Sequence, residues 1–183
     1  MNRTTIYTDR LILRQFEEAD LEAFYAYAKN PNIGPNAGWA PHASIEESAG
    51  ILEIFMSSND VWAIAEKENN IVIGSIGLQE DKLRRVPDVR MLGYVLSEDH
   101  WNKGYMTEAA TALLKFAFSE QQLALVSVNH YPFNKASARV IEKLGFSYDG
   151  TLRHAIQIYN GNIYDAVCYS MTRDEFGKKY ENE

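Results

Sequence analysis

One stretch constrains the fold of this chain more than any other: Gly93-Tyr94-Val95-Leu96-Ser97-Glu98-Asp99-His100-Trp101-Asn102-Lys103-Gly104-Tyr105-Met106-Thr107-Glu108-Ala109. A strand pattern, Met91 to Leu96, passes through a short loop holding one glycine and runs straight into a helix pattern, Tyr105 to Phe118. Met106, Ala109, Ala110, Leu113, Leu114 and Ala117 share one face of that helix, so it must bury a stripe against another layer. The N–H groups at its start lack partners within the helix, and the helix dipole adds to their attraction for an anion. Gly104 lets the backbone come close to a phosphate, and Lys103 supplies charge. Two readings stand side by side. The loop is a pyrophosphate cradle, or it is a strand-to-helix turn in which Gly104 only eases the bend.

The remaining pattern alternates strands and helices with hairpins interposed. Arg10 to Arg14 reads as a first strand, and Asp20 caps a helix over Leu21 to Lys29 that Asn30-Pro31-Asn32 stops. Ile33 to Ala43 is irregular. Ser44-Ile45-Glu46-Glu47 has the form of a capping box ahead of a helix to about Met56. Val61 to Glu66 and Ile71 to Gly77 form a hairpin, Asp81 to Asp88 a charged connection, and Leu123 to His130 a strand. A helix over Lys135 to Leu144 closes at Gly145. Strands at Phe146 to Leu152 and Ile163 to Met171 pair around Tyr159-Asn160-Gly161-Asn162. This order predicts a three-layer α/β fold, with a mixed central β-sheet flanked by helices. One domain over residues 1–176 and a polar C-terminal tail over 177–183 that frays complete the expected organisation.

Composition removes several classes of function. Hydrophobic residues make up 46% of the 183, enough for a core rather than a disordered chain. No apolar run approaches the roughly 20 residues of a membrane span, and Met1 to Arg14 lacks the form of a signal peptide. The formal charge of −7 argues against nucleic acid and acidic membranes as partners and suits a cationic amine. Cys168, the single cysteine, excludes an intrachain disulfide and fits a reducing, cytoplasmic setting. It reads as a small strand residue rather than a nucleophile, since no basic neighbour in sequence would lower its pKa. Histidines 42, 100, 130 and 154 show no metal-ligand spacing, so no metal is assigned.

A second segment, Asn134-Lys135-Ala136-Ser137-Ala138-Arg139-Val140-Ile141-Glu142-Lys143-Leu144-Gly145-Phe146, opens with an N-cap asparagine and a serine at the third helical position. Either both residues serve the helix end, or Asn134 offers its amide to a ligand and Ser137 a hydroxyl proton. With the stretch from Trp101 to Ala109, this segment resembles the GCN5-related N-acetyltransferases, and most closely their ribosomal-protein-alanine (Rim type) branch. Thr8-Asp9-Arg10-Leu11-Ile12-Leu13-Arg14 is similar to the branch's opening, and Gly150-Thr151-Leu152-Arg153 with Asp165 to its closing hairpin. The resemblance covers nearly the whole chain.

The resemblance implies acetyl-coenzyme A as co-substrate. The backbone of Tyr94, Val95 and Leu96 would pair with the pantetheine arm. Asn102, Lys103, Gly104, Tyr105, Met106 and Thr107 would cradle the pyrophosphate. Asn134 would hold the pantetheine near the thioester, and Ser137 would protonate the leaving thiolate. An amine would attack the thioester directly while a backbone N–H of the Met91 to Leu96 strand steadied the oxyanion. The acceptor is a protein N-terminus or a small-molecule amine, and a homodimer is compatible with the sequence without being demanded by it. Family members often carry a glutamate base where Met91 stands; Asp88, Glu98, His100 and His130 are the substitutes available. That departure also leaves a second class of function, a coenzyme-A-binding sensor without turnover. Trp39, Trp62, Tyr25 and Tyr159 line either a core or an acceptor pocket, and Arg153 and His154 face either the acceptor or solvent.

Overall fold

The computed structural model describes residues 4–180; positions 1–3 of the expected domain and 181–183 of the expected tail lie outside them. The strands are β1 (Ile6–Tyr7), β2 (Leu11–Arg14), β3 (Val61–Glu66), β4 (Val72–Glu80), β5 (Val89–Leu96), β6 (Leu125–His130), β7 (Ser147–Gln157) and β8 (Ile163–Thr172). The helices are α1 (Leu21–Ala28), α2 (Gly34–Ala37), α3 (Ile45–Ser57), α4 (Tyr105–Ser119), α5 (Lys135–Leu144) and α6 (Arg173–Tyr180). The strand order is β1-β2-β3-β4-β5-β6-β8-β7. β5 and β6 pair in parallel, while β1–β2, β2–β3, β3–β4, β6–β8 and β7–β8 pair antiparallel. The sheet is therefore mixed, as the alternating pattern predicts. Among the described residues no helix is long and apolar enough to cross a membrane.

The chain forms two compact units, one of residues up to Gly77 with Tyr94–Ala109, the other of Leu78–Gly93 with residues from Ala110 onward. In the first unit, α1 and α3 lay Phe24, Tyr27, Ala28 and Leu52 into a core shared with Phe16 and with Ala63 and Ala65 of β3. Phe24 meets Phe16 and Phe55 edge-on, at 5.9 and 5.7 Å between ring centres. Ser44 caps α3 by accepting from Glu47 N–H. Arg14, at the end of β2, makes a buried two-pronged ion pair with Asp20, both N···O distances 2.8 Å.

In the second unit, β6 is the spine. Ser127 pairs with Met91 of β5 on one side and with Ser170 of β8 on the other. Asn134 caps α5, accepting from Ser137 N–H, and Gly145 ends it at φ +81°. Phe176 of α6 is buried with its ring 5.2 Å from that of Phe118.

The short β1 and the final helix α6 are absent from the sequence reading, β4 and β5 are longer than it has them, and the other differences have a local cause. The irregular stretch holds the four-residue α2, with Pro35 in its first turn where a missing N–H costs nothing. β7 continues to Gln157 instead of stopping at Leu152, because a register shift between Leu152 and Ile156, with His154 at φ 55°, interrupts the period-two pattern without ending the pairing. Residues 177–180 are the last turn of α6 rather than frayed tail: Lys179 Nζ donates to Lys143 O at 2.8 Å and Tyr180 OH to Leu144 O at 3.1 Å.

Candidate active site

In the first unit, the C-terminal half of β5 leads into a single 3-10 turn, Glu98 to His100, and then the loop before α4. Trp101 Nε1 donates to Leu96 O at 2.8 Å, pinning loop to strand, so that this carbonyl of the Tyr94–Leu96 segment already accepts one bond. Asn102 at φ 60° and Gly104 at φ +81° turn the backbone into α4. The first internal helix bond is Glu108 N–H to Gly104 O, 3.0 Å. Tyr105, Met106 and Thr107 therefore precede it, and their N–H groups belong to the helix end that has no internal acceptor. The six residues that the resemblance assigns to a cradle, Asn102 to Thr107, are contiguous across this loop and the start of α4.

Glu108, in the first turn of α4, is held by three groups of the opening motif. Its Oε1 accepts from Thr8 Oγ1 at 2.6 Å and from Arg10 N–H at 2.9 Å; its Oε2 accepts from Arg10 Nε at 2.7 Å. Burial alone would raise its pKa, but these donors and the Arg10 charge outweigh it and hold the carboxyl below its usual range. Arg10 NH1 also donates to Lys103 O at 3.0 Å. Sequence reading missed this pair because its members lie 98 residues apart.

The second unit holds the other proposed site residues. Asn134 Oδ1 accepts Ser137 N–H at 3.0 Å, so the cap is made and the Ser137 hydroxyl is not what makes it. Both residues are half-buried. Met91, which stands where the family often has glutamate, accepts from Asn129 Nδ2 through its sulfur at 3.4 Å. Cys168 is buried, and burial pushes its thiol up, against use as a nucleophile. No group of three His, Cys, Asp or Glu able to hold a metal occurs among the described residues.

The substitute bases differ in setting. Asp88 is exposed. Glu98 accepts from Asn32 Nδ2 at 3.0 Å and Asn30 Nδ2 at 2.8 Å, and these bonds hold its carboxyl below the usual range. His100 Nε2 lies 3.5 Å from Glu66 Oε1, and its Nδ1 is buried without a partner. His130 is buried and stacked on Tyr169; its Nδ1 sits 2.8 Å from Tyr131 O and its Nε2 is buried without a partner. Of the aromatics, Trp62 is core, Tyr159 is exposed, Tyr25 carries Lys29 over its ring, and half-buried Trp39 packs on the first unit's core beside His42. Arg153 and His154 are exposed, and His154 N–H donates to Asp165 Oδ1 at 2.8 Å, tying together the closing hairpin.

Residues 10–147 match the family model described as acetyltransferase (GNAT) domain. The chain belongs to the GCN5-related N-acetyltransferase superfamily. It is 30% identical over 173 residues to the uncharacterized N-acetyltransferase YoaA of Bacillus subtilis (strain 168), covering 91% of this chain and 95% of that one. The crystal structure of a GNAT-family acetyltransferase from Bacillus anthracis superposes with a TM-score of 0.85 at 26% identity, over 94% of this chain and all of the other. A ribosomal-protein-S5-alanine acetyltransferase from Vibrio fischeri shares the fold, with a TM-score of 0.75 at 21% identity over 94% and 98% of the two chains. This chain is thus an acetyl-coenzyme-A-dependent acetyltransferase. That sets aside the sensor without turnover.

Proposed function

We propose that this acetyltransferase moves the acetyl group of acetyl-coenzyme A onto the nitrogen of a primary amine, a protein N-terminus or a small-molecule amine, by direct attack in the cytoplasm. The observation that carries the reading is the turn from Asn102 to Gly104, both at positive φ, which starts the 15-residue α4 with its first N–H groups ahead of any internal bond. That donor set, backbone N–H groups and the Lys103 ammonium, fits a pyrophosphate, and the charge of the nearby Glu108 carboxylate is met by Arg10. When bound, the co-substrate supplies an activated acetyl thioester. In this reading the chain's residues do the rest. The loop fixes the phosphates, the edge of β5 at Tyr94 and Val95 aligns the arm, Asn134 orients it, and Ser137 delivers a proton to the departing sulfur. The acidic balance of the chain, −7 overall, favours a cationic acceptor approaching.

Calorimetric titration with acetyl-coenzyme A tests the loop. Gly104→Glu places a carboxylate at the cradle and forces a side chain into φ +81°, so binding is expected to vanish. Unchanged affinity in a folded Gly104→Glu protein would contradict the assignment.

A further inference from the structure

We propose that Arg10 is a positioning residue for coenzyme A, setting the anion loop by cancelling the charge of Glu108 and tying down the carbonyl of Lys103. This rests on the loop reading above. Everything it needs lies within one compact unit.

The geometry is specific. Arg10 stands just before β2, and its guanidinium reaches three points around the loop. NH1 donates to Lys103 O at 3.0 Å, Nε and NH2 each lie 2.7 Å from Glu108 Oε2, and Cζ sits 4.3 Å from the centre of the Tyr105 ring. A Cβ built on Gly104 would have Arg10 NH2 as its nearest neighbour, at 3.5 Å. The Arg10 side chain thus covers Gly104 from one side while bonding the residue before it and the helix turn after it.

Glu108 explains why a cation is required there. A carboxylate in the first turn stabilises the start of a helix through the dipole. The same carboxylate repels any anion that uses those N–H groups. Thr8 Oγ1 and the Arg10 N–H satisfy its Oε1, but neutral donors do not remove its charge. They hold the group ionised. Arg10 meets that charge at 2.7 Å. A lysine would keep the charge but not the fork: one ammonium cannot replace the separate N–H groups that Arg10 aims at Lys103 O and Glu108.

Charge cancellation gives a sign that a merely structural tie would not. Removing Arg10 leaves an uncompensated carboxylate beside the anion site. Removing Glu108 as well takes away the repulsion. Coenzyme A is titrated calorimetrically into the wild-type protein, Arg10→Ala, Glu108→Ala and the double variant, with circular dichroism confirming that each is folded. Arg10→Ala is expected to weaken binding about tenfold, the scale of one lost charge-assisted contact. The double variant is expected to bind several-fold more tightly than Arg10→Ala alone. Arg10→Lys is expected to fall between wild type and Arg10→Ala. If Arg10→Ala does not fold, Arg10→Gln removes the charge while keeping an amide donor and serves the same comparison. Unchanged affinity in Arg10→Ala, or a double variant as weak as Arg10→Ala, overturns the proposal. Gly104→Glu in the same titration separates the two claims. Loss of binding there with no effect at Arg10 removes only the role of Arg10; no effect at Gly104 removes the loop reading itself.

Discussion

The carboxylate of Asp81 accepts from Ser127 Oγ at 2.6 Å, from Arg84 NH1 at 3.0 Å, and from the N–H groups of Leu83 and Arg84 at 2.8 and 3.1 Å. Arg84 continues to Asp149 at 2.6 Å, whose other oxygen accepts from Ser170 Oγ at 2.8 Å. A stretch that reads as a charged connection is, at its first residue, a buried anchor on the β6–β8 face. The sequence hides this because Ser127 lies 46 residues away. Asp81→Ala orphans donors that burial has cut off from water. It is expected to lower stability by about 3 kcal/mol, the scale of a broken buried charge network, read as a shifted urea midpoint near pH 7. Burial by itself would raise the Asp81 pKa, but its donors outweigh it and the folded value lies below the ordinary 3.8. With a depressed folded pKa, the stabilisation is complete above the ordinary value and is lost as pH falls through the folded one. The gap between wild type and Asp81→Ala is therefore expected to hold down to about pH 4 and to close only below it. A gap that closed between pH 7 and 5 would contradict this.

Among the elements, α5 shows what local chemistry can specify. Its cap residue and its terminating glycine are both readable in sequence, and the observed bounds, Lys135–Leu144, agree with the reading. The turn into α4 is legible for the same reason, since Asn102 to Thr107 fall within one short window. The short α2 and the extension of β7 were not, since one is four residues long and the other passes through a residue at positive φ. Gly145→Ala tests the α5 boundary. The substitution forces φ +81° on a side chain and brings Cβ within 2.5 Å of Lys179 Nζ, the mobile end of a long chain. A loss of about 1 kcal/mol is expected from the backbone, with Lys179 giving up its bond to Lys143 O. An unchanged melting temperature would show that the residue after α5 does not need its left-handed conformation.

Across the whole chain, long-range pairs carry what pattern reading leaves out. The opening motif reads in sequence only as a resemblance; in the structure it pairs Arg10 with Glu108 and Arg14 with Asp20. Residues 177–183 read as a tail because they are polar, yet Lys179 and Tyr180 donate to Lys143 O and Leu144 O at the end of α5, and Phe176, just before them, is buried. Phe176→Ala is expected to cost about 3 kcal/mol as a cavity-forming core truncation, seen as a lower unfolding midpoint; a change under about 0.5 kcal/mol, the surface range, would contradict a core role for α6. The proposed cradle and Arg10 lie in one unit, and Asn134 and Ser137 in the other.

The most direct test of that account measures acetyl-coenzyme-A-dependent thiol release against a panel of small amines and peptides with free N-termini, with mass spectrometry of the products. Ser137→Ala runs alongside, since its cap bond uses the backbone N–H and survives the change. The account predicts release that requires an amine, product acetylated on nitrogen, and a fall of about a hundredfold in Ser137→Ala with acetyl-coenzyme A still bound. Release that ignores the amine, product acetylated elsewhere, or no release from any amine by a protein that binds acetyl-coenzyme A would contradict it.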